Sequence, residues 1–302
     1  MPALITTGNH PKAMWEGVKA WFGRAYEKHT TEWTDLFDED TSDKAYEEIV
    51  ESVGFGLPQA KPQGEAITYS SDSQGYTARF THTAYANGFM VSFEEMKDNL
   101  YAEVAKRRSP DLADSMREGH EIVCAGVYNN GFSGSFVGGD AVALFSSSHP
   151  TVSGNQSNLL TAADISEIAL EDAGIAVMNA RSSINRRIAL RMESLHVAPA
   201  NWYEANRILK SVLQNDTAQN AVNALKLVGE FPKGIKINHY FDDADAYFIR
   251  TNAKRGMMHF QNTPLIFEED GVFDNKVQKY SAYERFVAKW ADWRGAWASQ
   301  GA

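Results

Sequence analysis

A chain of 302 residues, 43% apolar and 12% aromatic, can bury a sizeable core, and at roughly 150 residues per domain it suggests two domains. Charged side chains make up 23%, and 29 basic against 39 acidic residues leave a net charge of -10 with no like-charge tail. That balance argues against a sequence-specific reader of DNA or RNA, and the densest basic cluster, Lys106-Arg107-Arg108, lacks interleaved aromatics and reads as a solvated helix end.

The first segment is expected to be helical, because Met14, Trp15, Val18, Trp21, Phe22, Ala25 and Tyr26 recur at helical spacing and Pro11 suits a first turn. Its Trp15, Trp21 and Phe22 face is more apolar than a monomer usually exposes, which points to packing on another subunit. A second short helix is expected from Asp43 to Val53, capped by Ser42, with Tyr46, Ile49, Val50 and Val53 on one face.

From Lys61 to Ser92 the pattern changes to alternation, Ile67 and Tyr69 before a polar tip at Ser70–Gly75, then Tyr76, Ala78 and Phe80. This predicts a long hairpin, with a further turn at Asn87-Gly88. An isolated two-stranded ribbon is marginal in water, so Ile67, Tyr69, Tyr76 and Phe80 are expected to be buried by a neighbour.

Ser92-Phe93-Glu94-Glu95 is a capping box that opens a helix through Met96, Leu100, Tyr101 and Val104. A break is expected near Ser109-Pro110, followed by a helix carrying Leu112, Met116, Ile122, Val123 and Val127 and stopped by Asn129-Asn130-Gly131. Gly131–Gly154 surrounds one apolar strand, Ala141–Phe145, and a capped helix follows from Thr161 through Ala176. Arg187–Pro199 suggests a buried strand, Asn201 caps a helix with Trp202, Ala205, Ile208 and Leu209, and the remainder from Leu225 is mostly β.

Cys124, alone, cannot form an internal disulfide, and no Cys/His zinc pattern surrounds it in sequence; a reducing compartment fits. Met1–Thr7 has no signal-peptide pattern, and the longest apolar stretch, Ile122–Tyr128, is too short to span a bilayer, so a soluble product made in a cytoplasm is expected. Gly54-Phe55-Gly56, Gly131–Ser135 and Gly138-Gly139-Asp140 each lack the glycines or the lysine that dinucleotide, nucleophile-elbow and phosphate-loop motifs need. His239 with Asp242, Asp243 and Asp245 lacks calcium-loop spacing and reads as a turn. His149 could serve as a general base beside Ser148, but adjacent residues rarely converge, and a histidine before Pro150 reads as fixing a loop. No catalytic residue, cofactor or metal site is expected.

In this order of elements the chain resembles the major head subunits of tailed bacteriophages, closest to the Mu-like group. The resemblance rests on Thr83-Ala84-Tyr85-Ala86-Asn87-Gly88-Phe89, Ala143–Pro150, Asn155–Thr161, Ala205–Ser211, Asn223-Ala224-Leu225-Lys226 and Asp292-Trp293-Arg294-Gly295. It implies an α+β, HK-ninety-seven-type capsid fold: an N-terminal arm (1–56), an extended loop (57–91), a peripheral domain (92–158, completed by 252–302) with a spine helix at Pro110–Tyr128, and an axial domain (159–251). The implied function is a structural shell subunit, assembling as hexamers and pentamers into an icosahedral head around the genome.

Its implied partners are other copies of itself, a portal protein, a decoration protein and packaged DNA in non-specific proximity, with no membrane. Only some fifty residues precede the loop, so the scaffolding protein is expected to be separate, and the loop offers Lys61 at its base and no lysine at its tip, which argues against covalent cross-linking. The implied location is the virion, assembled in the host cytoplasm. A nanocompartment shell of the same fold is an alternative; a hydrolase using His149 with Asp140 or Asp164 is a further one, from another class.

Overall fold

The computed structural model describes residues 22–26, 30–92, 94, 101–213, 222–272 and 277–302, with 101–107 and 272 by their backbone alone. Helix α1 is Trp33–Leu36, and strands β1 (Asp38–Thr41), β2 (Tyr46–Ser52), β3 (Gln74–Thr81) and β4 (Thr83–Ser92) follow. Helix α2, Tyr101–Asn129, is 29 residues long, about 43 Å at 1.5 Å per residue. After it come β5 (His149–Thr151), β6 (Gly154–Gln156), α3 (Glu167–Met178), β7 (Met192–Val197), α4 (Trp202–Lys210), α5 (Ala224–Val228), β8 (Ile235–Ile237), β9 (Tyr247–Thr251), β10 (Met257–Val272), β11 (Val277–Trp290) and β12 (Ala296–Ser299).

One sheet has the order β1-β10-β11-β4, with β1 parallel to β10 and the other pairs antiparallel. Helix α2 lies on it. Along α2, Leu112, Ala113 and Met116 pack with Val91, Phe267 and Tyr280, and further on Cys124, Val127 and Tyr128 pack with Leu36, Phe37, Phe145, Phe286 and Trp290. The β10–β11 ladder slips register on both sides of Thr263, next to Pro264, which has no N–H to give to a ladder.

The second sheet, β12-β9-β7-β8, is covered by α3 and α4, and its core is Leu170, Val177, Leu195, Val197, Ile208, Ile249 and Trp297. Its helices end where the chain supplies caps. The Ser166 hydroxyl accepts from Ala169 N, and α5 is capped by Asn223 and closed by Gly229 at φ 70°. Of 252–302, β10 and β11 join the first sheet and β12 the second.

Several elements differ from the sequence reading. Residues 46–52, expected to be helical, form β2, paired antiparallel with β3 from Tyr46↔Thr81 to Ser52↔Gln74. Over so short a window Tyr46, Ile49 and Val50 suit either period, and the ladder decides: Glu47, Ile49 and Glu51 face inward in strict alternation. The hairpin arms are therefore β2 and β3, and Ile67 and Tyr69 lie in the strandless connection 53–73.

Asn87-Gly88 is no turn but the middle of β4, opposite Ala282 and Ser281, where a Cβ on Gly88 would lie 2.5 Å from the Tyr280 carbonyl oxygen. The break at Ser109-Pro110 does not occur. An interior proline costs a helix about 3 kcal/mol, and here the burial of Leu112, Ala113 and Met116 offsets it. Ala141–Phe145 is a loop with one bridge, Val137↔Ala143, because Ala141 turns the chain at φ 61°. The helix expected from Thr161 starts only at Glu167, and Asn201 gives α4 no side-chain cap, its amide donating instead to the Ala244 carbonyl. Residues 22–26 are helical; Met14, Trp15, Val18 and Trp21 lie outside the described residues, as do Phe93 and Glu95 of the capping box.

Candidate functional site

The hairpin base is held by its own chain. Ala78 and Phe80 are buried with Met258, Phe260 and Ala291, Phe80 meeting the Phe260 ring edge-on at 5.1 Å. Tyr76 is half-buried against the larger core, and burial pushes its phenol well above the ordinary tyrosine value. The glycine-rich segment after α2 cradles this base, since a Cβ on Gly139 would stand 2.6 Å from the Thr77 carbonyl oxygen. From β2, Glu51 accepts from Ser183 Oγ and pairs with the buried Arg294 guanidinium at 3.4 Å. Arg294 in turn holds Asp292, Gln156 and the Arg181 carbonyl.

The connection 53–73 is the opposite case. Its ends are tied by Asp72, whose carboxylate accepts from Gly54 N at 2.8 Å and Ser52 Oγ at 3.1 Å, and by Arg186 donating to the Phe55 carbonyl at 2.7 Å. Between those ties Tyr69 is 89% exposed, Leu57 73% and Ile67 64%. Of the residues expected at subunit contacts, the structure thus exposes Ile67 and Tyr69 and buries Phe80 within the chain. Phe22 is buried too, 4.7 Å from the Phe267 ring, so neither it nor Phe80 needs a neighbour for its burial. Trp15 and Trp21 are outside the described residues. The second unit adds exposed apolar side chains that the sequence reading missed: Ile168 and Ile175 on α3, Tyr203 on α4, and Leu227 and Val228 on α5.

The polar candidates are internal braces. His149 is fully buried, with Nδ1 2.6 Å from Asp140 Oδ2, Nε2 3.0 Å from Asn158 Oδ1, and its ring stacked 4.3 Å from Trp293. Asn158 also donates to the Leu144, Trp293 and Ala296 carbonyls, so this cluster locks the loop after α2 to the C-terminal segment. Both imidazole nitrogens are occupied and Ser148 is solvent-exposed, which leaves no nucleophile–base pair. Asp164 is elsewhere, accepting from Ala302 N. His239 pairs with Glu32 at 2.5 Å, while Asp243 accepts from the N–H groups of Asp245 and Ala246, which is turn chemistry.

A second buried cluster, which sequence reading did not find, joins α2 to the first sheet. His120 Nδ1 is 3.1 Å from Glu284 Oε2, and its Nε2 is 3.1 Å from His259 Nε2. Cys124, His120 and His259 each offer a ligand atom, all within 4.8 Å of one another. Trp33 and Phe286 wall the cluster, 4.7 Å and 3.8 Å from the His120 ring. Burial pushes the Cys124 thiol well up and holds His259 down at about 3.

Among the described residues, a long helix lies on one sheet, the β2–β3 hairpin carries a connection with exposed apolar side chains, and the buried polar clusters brace the chain. The family model for phage capsid protein matches residues 75–299, and the chain belongs to that family. In solved structures it is similar to the capsid of cyanophage P-SCSP1u, with TM-score 0.60 and 12% identity over 90% of this chain and 88% of that one. It is also similar to the capsid of the native GTA particle, with TM-score 0.58 and 11% identity over 91% of each chain. Mycobacterium phage Che8 gives TM-score 0.52 and 12% identity over 90% and 93%. No curated protein sequence matches the chain. The expected α+β phage-capsid fold is what these likenesses share, and the protein is a capsid shell subunit, structural and not enzymatic.

Proposed function

We propose that this chain is a major head subunit of the Mu-like group, forming hexamers and pentamers that close into an icosahedral head around a phage genome. The observation that carries the reading is the exposed connection 53–73, whose Leu57, Ile67 and Tyr69 have no core of their own to enter. In this reading β2 to β3 is the extended loop clasping an adjacent subunit, α2 is the spine helix, and the α3–β9 region with β12 is the axial domain at capsomer centres. The arm before α1, with Trp15 and Trp21, packs on another copy. Scaffolding, portal and decoration proteins are its further partners, and a net charge of -10 keeps contact with packaged DNA weak and sequence-blind. Assembly takes place in the host cytoplasm and the product resides in the virion.

The test is electron microscopy and size-exclusion chromatography of the purified chain, alone and coexpressed with its genomic neighbours. Closed shells or capsomers support the reading, and a folded protein that stays monomeric in both preparations overturns it.

A further inference from the structure

We propose that His120, Cys124 and His259 form a structural zinc site that staples the long helix to the first sheet. His120 and Cys124 stand four residues apart, on one face of α2 a turn apart, and His259 reaches them from β10. Glu284, on β11, accepts from His120 Nδ1 and so fixes the tautomer whose Nε2 lone pair points into the cluster. That carboxylate–histidine pairing is the support a metal-binding imidazole usually has.

The spacing fits. Two nitrogens bound to one tetrahedral zinc at 2.0–2.1 Å lie about 3.4 Å apart, and the two Nε2 atoms are 3.1 Å apart here. Without a metal, one proton must bridge them, His259 donating to His120, and His259 Nδ1 has no hydrogen-bond partner among the described residues. Zinc takes His259 in its other neutral tautomer, the bridging proton moving from Nε2 to Nδ1, and displaces the Cys124 thiol proton, which is released to solvent; a water completes four-coordination.

Donor type and charge select the ion. Two imidazoles and a thiolate favour zinc or copper(I) over magnesium or calcium. Zinc with one thiolate and the Glu284 carboxylate sums to zero, whereas copper(I) would add a negative charge to an enclosed site between Trp33 and Phe286 that already lies beside the buried Glu121 carboxyl. All three ligand residues are buried, so the ion must enter as the chain folds.

The experiment uses the full chain, purified without chelator and analysed for metals by plasma mass spectrometry. About one zinc per chain is expected; copper in its place overturns the metal assignment. The wild-type chain is then unfolded in chelator and refolded with zinc, with cobalt(II) or with neither. Zinc should raise the melting temperature by several degrees, and cobalt should give thiolate charge-transfer absorption. Cys124→Ser and His259→Gln should each retain at least tenfold less zinc after dialysis against a zinc buffer, while His239→Gln retains it. If either variant fails to fold, the wild-type refolding decides: no zinc uptake and an unchanged melting temperature overturn the proposal.

Discussion

The hairpin divides into residues that hold the chain together and residues with nothing to hold, and two sets of substitutions separate them. Phe80 is fully buried against Ala78, Met258, Phe260 and Ala291, so Phe80→Ala removes a whole ring from a packed pocket. Such a truncation costs about 3 to 5 kcal/mol, the edge-on contact with Phe260 placing it toward the upper end. The urea midpoint should fall by on the order of 1 M or more. Ile67 and Tyr69 are exposed, so Ile67→Ser with Tyr69→Ser should change chain stability by less than about 0.5 kcal/mol. If a neighbouring subunit covers them, each contributes roughly 1.5 to 3 kcal/mol of burial, and losing both raises the concentration needed for assembly by about 100-fold or more. Circular dichroism in urea reads the first effect and size-exclusion chromatography over a concentration series the second. A double variant that assembles at wild-type concentration would remove the connection from its proposed role, and an unshifted midpoint for Phe80→Ala would refute the internal packing.

Gly139→Ala puts a methyl group within 3 Å of the Thr77 backbone, so it should lower the melting temperature and raise protease cutting in 53–73; wild-type cutting would refute the cradle. His149→Ala leaves Asp140 buried without its partner and should cost about 3 to 5 kcal/mol, measured by denaturant unfolding, an unchanged midpoint being the contrary result. His196 is buried beside Arg250, Lys236 and Lys233, and burial followed by those cations lowers its pKa from 6.5 to about 3. The unfolded chain therefore binds the extra proton first, and the stability His196 contributes is present above about pH 6.5 and lost as pH falls toward 3, at up to about 1.4 kcal/mol per unit. His196→Gln should flatten that part of the pH profile, and an equally steep profile in the variant would exclude His196 as its source.

The elements legible in the sequence were those with a long pattern or a clear stop. The α2 segment from Leu112 to Val127 shows its helical stripe, and Asn129-Asn130-Gly131 ends it where expected, Gly131 N donating to the Tyr128 carbonyl. What failed was decided by partners far away in the chain. Residues 46–52 became a strand because β3 supplies its ladder, and Phe80 found its pocket on β10, some 180 residues later. His149 locks its loop as its place before Pro150 suggests, yet the reason, Asn158 bridging to Trp293 and Ala296, has no local signal. The histidine–cysteine cluster was illegible for the same cause: His120 and Cys124 carry helical spacing, but His259 reaches them only through the fold.

Strand β1 closes one side of the first sheet with every residue exposed, and three of its four are acidic: Glu39, Asp40 and Asp38, the last held by the Arg250 guanidinium at 2.8 Å. A protein made in bulk to meet copies of itself risks pairing by open strand edges, a route to amorphous aggregates. At neutral pH this acidic border makes two such edges repel, so crowded subunits are kept dispersed until shape-specific surfaces engage. The same border predicts that acidification or high salt, by silencing the repulsion, shifts the outcome from ordered particles toward precipitate.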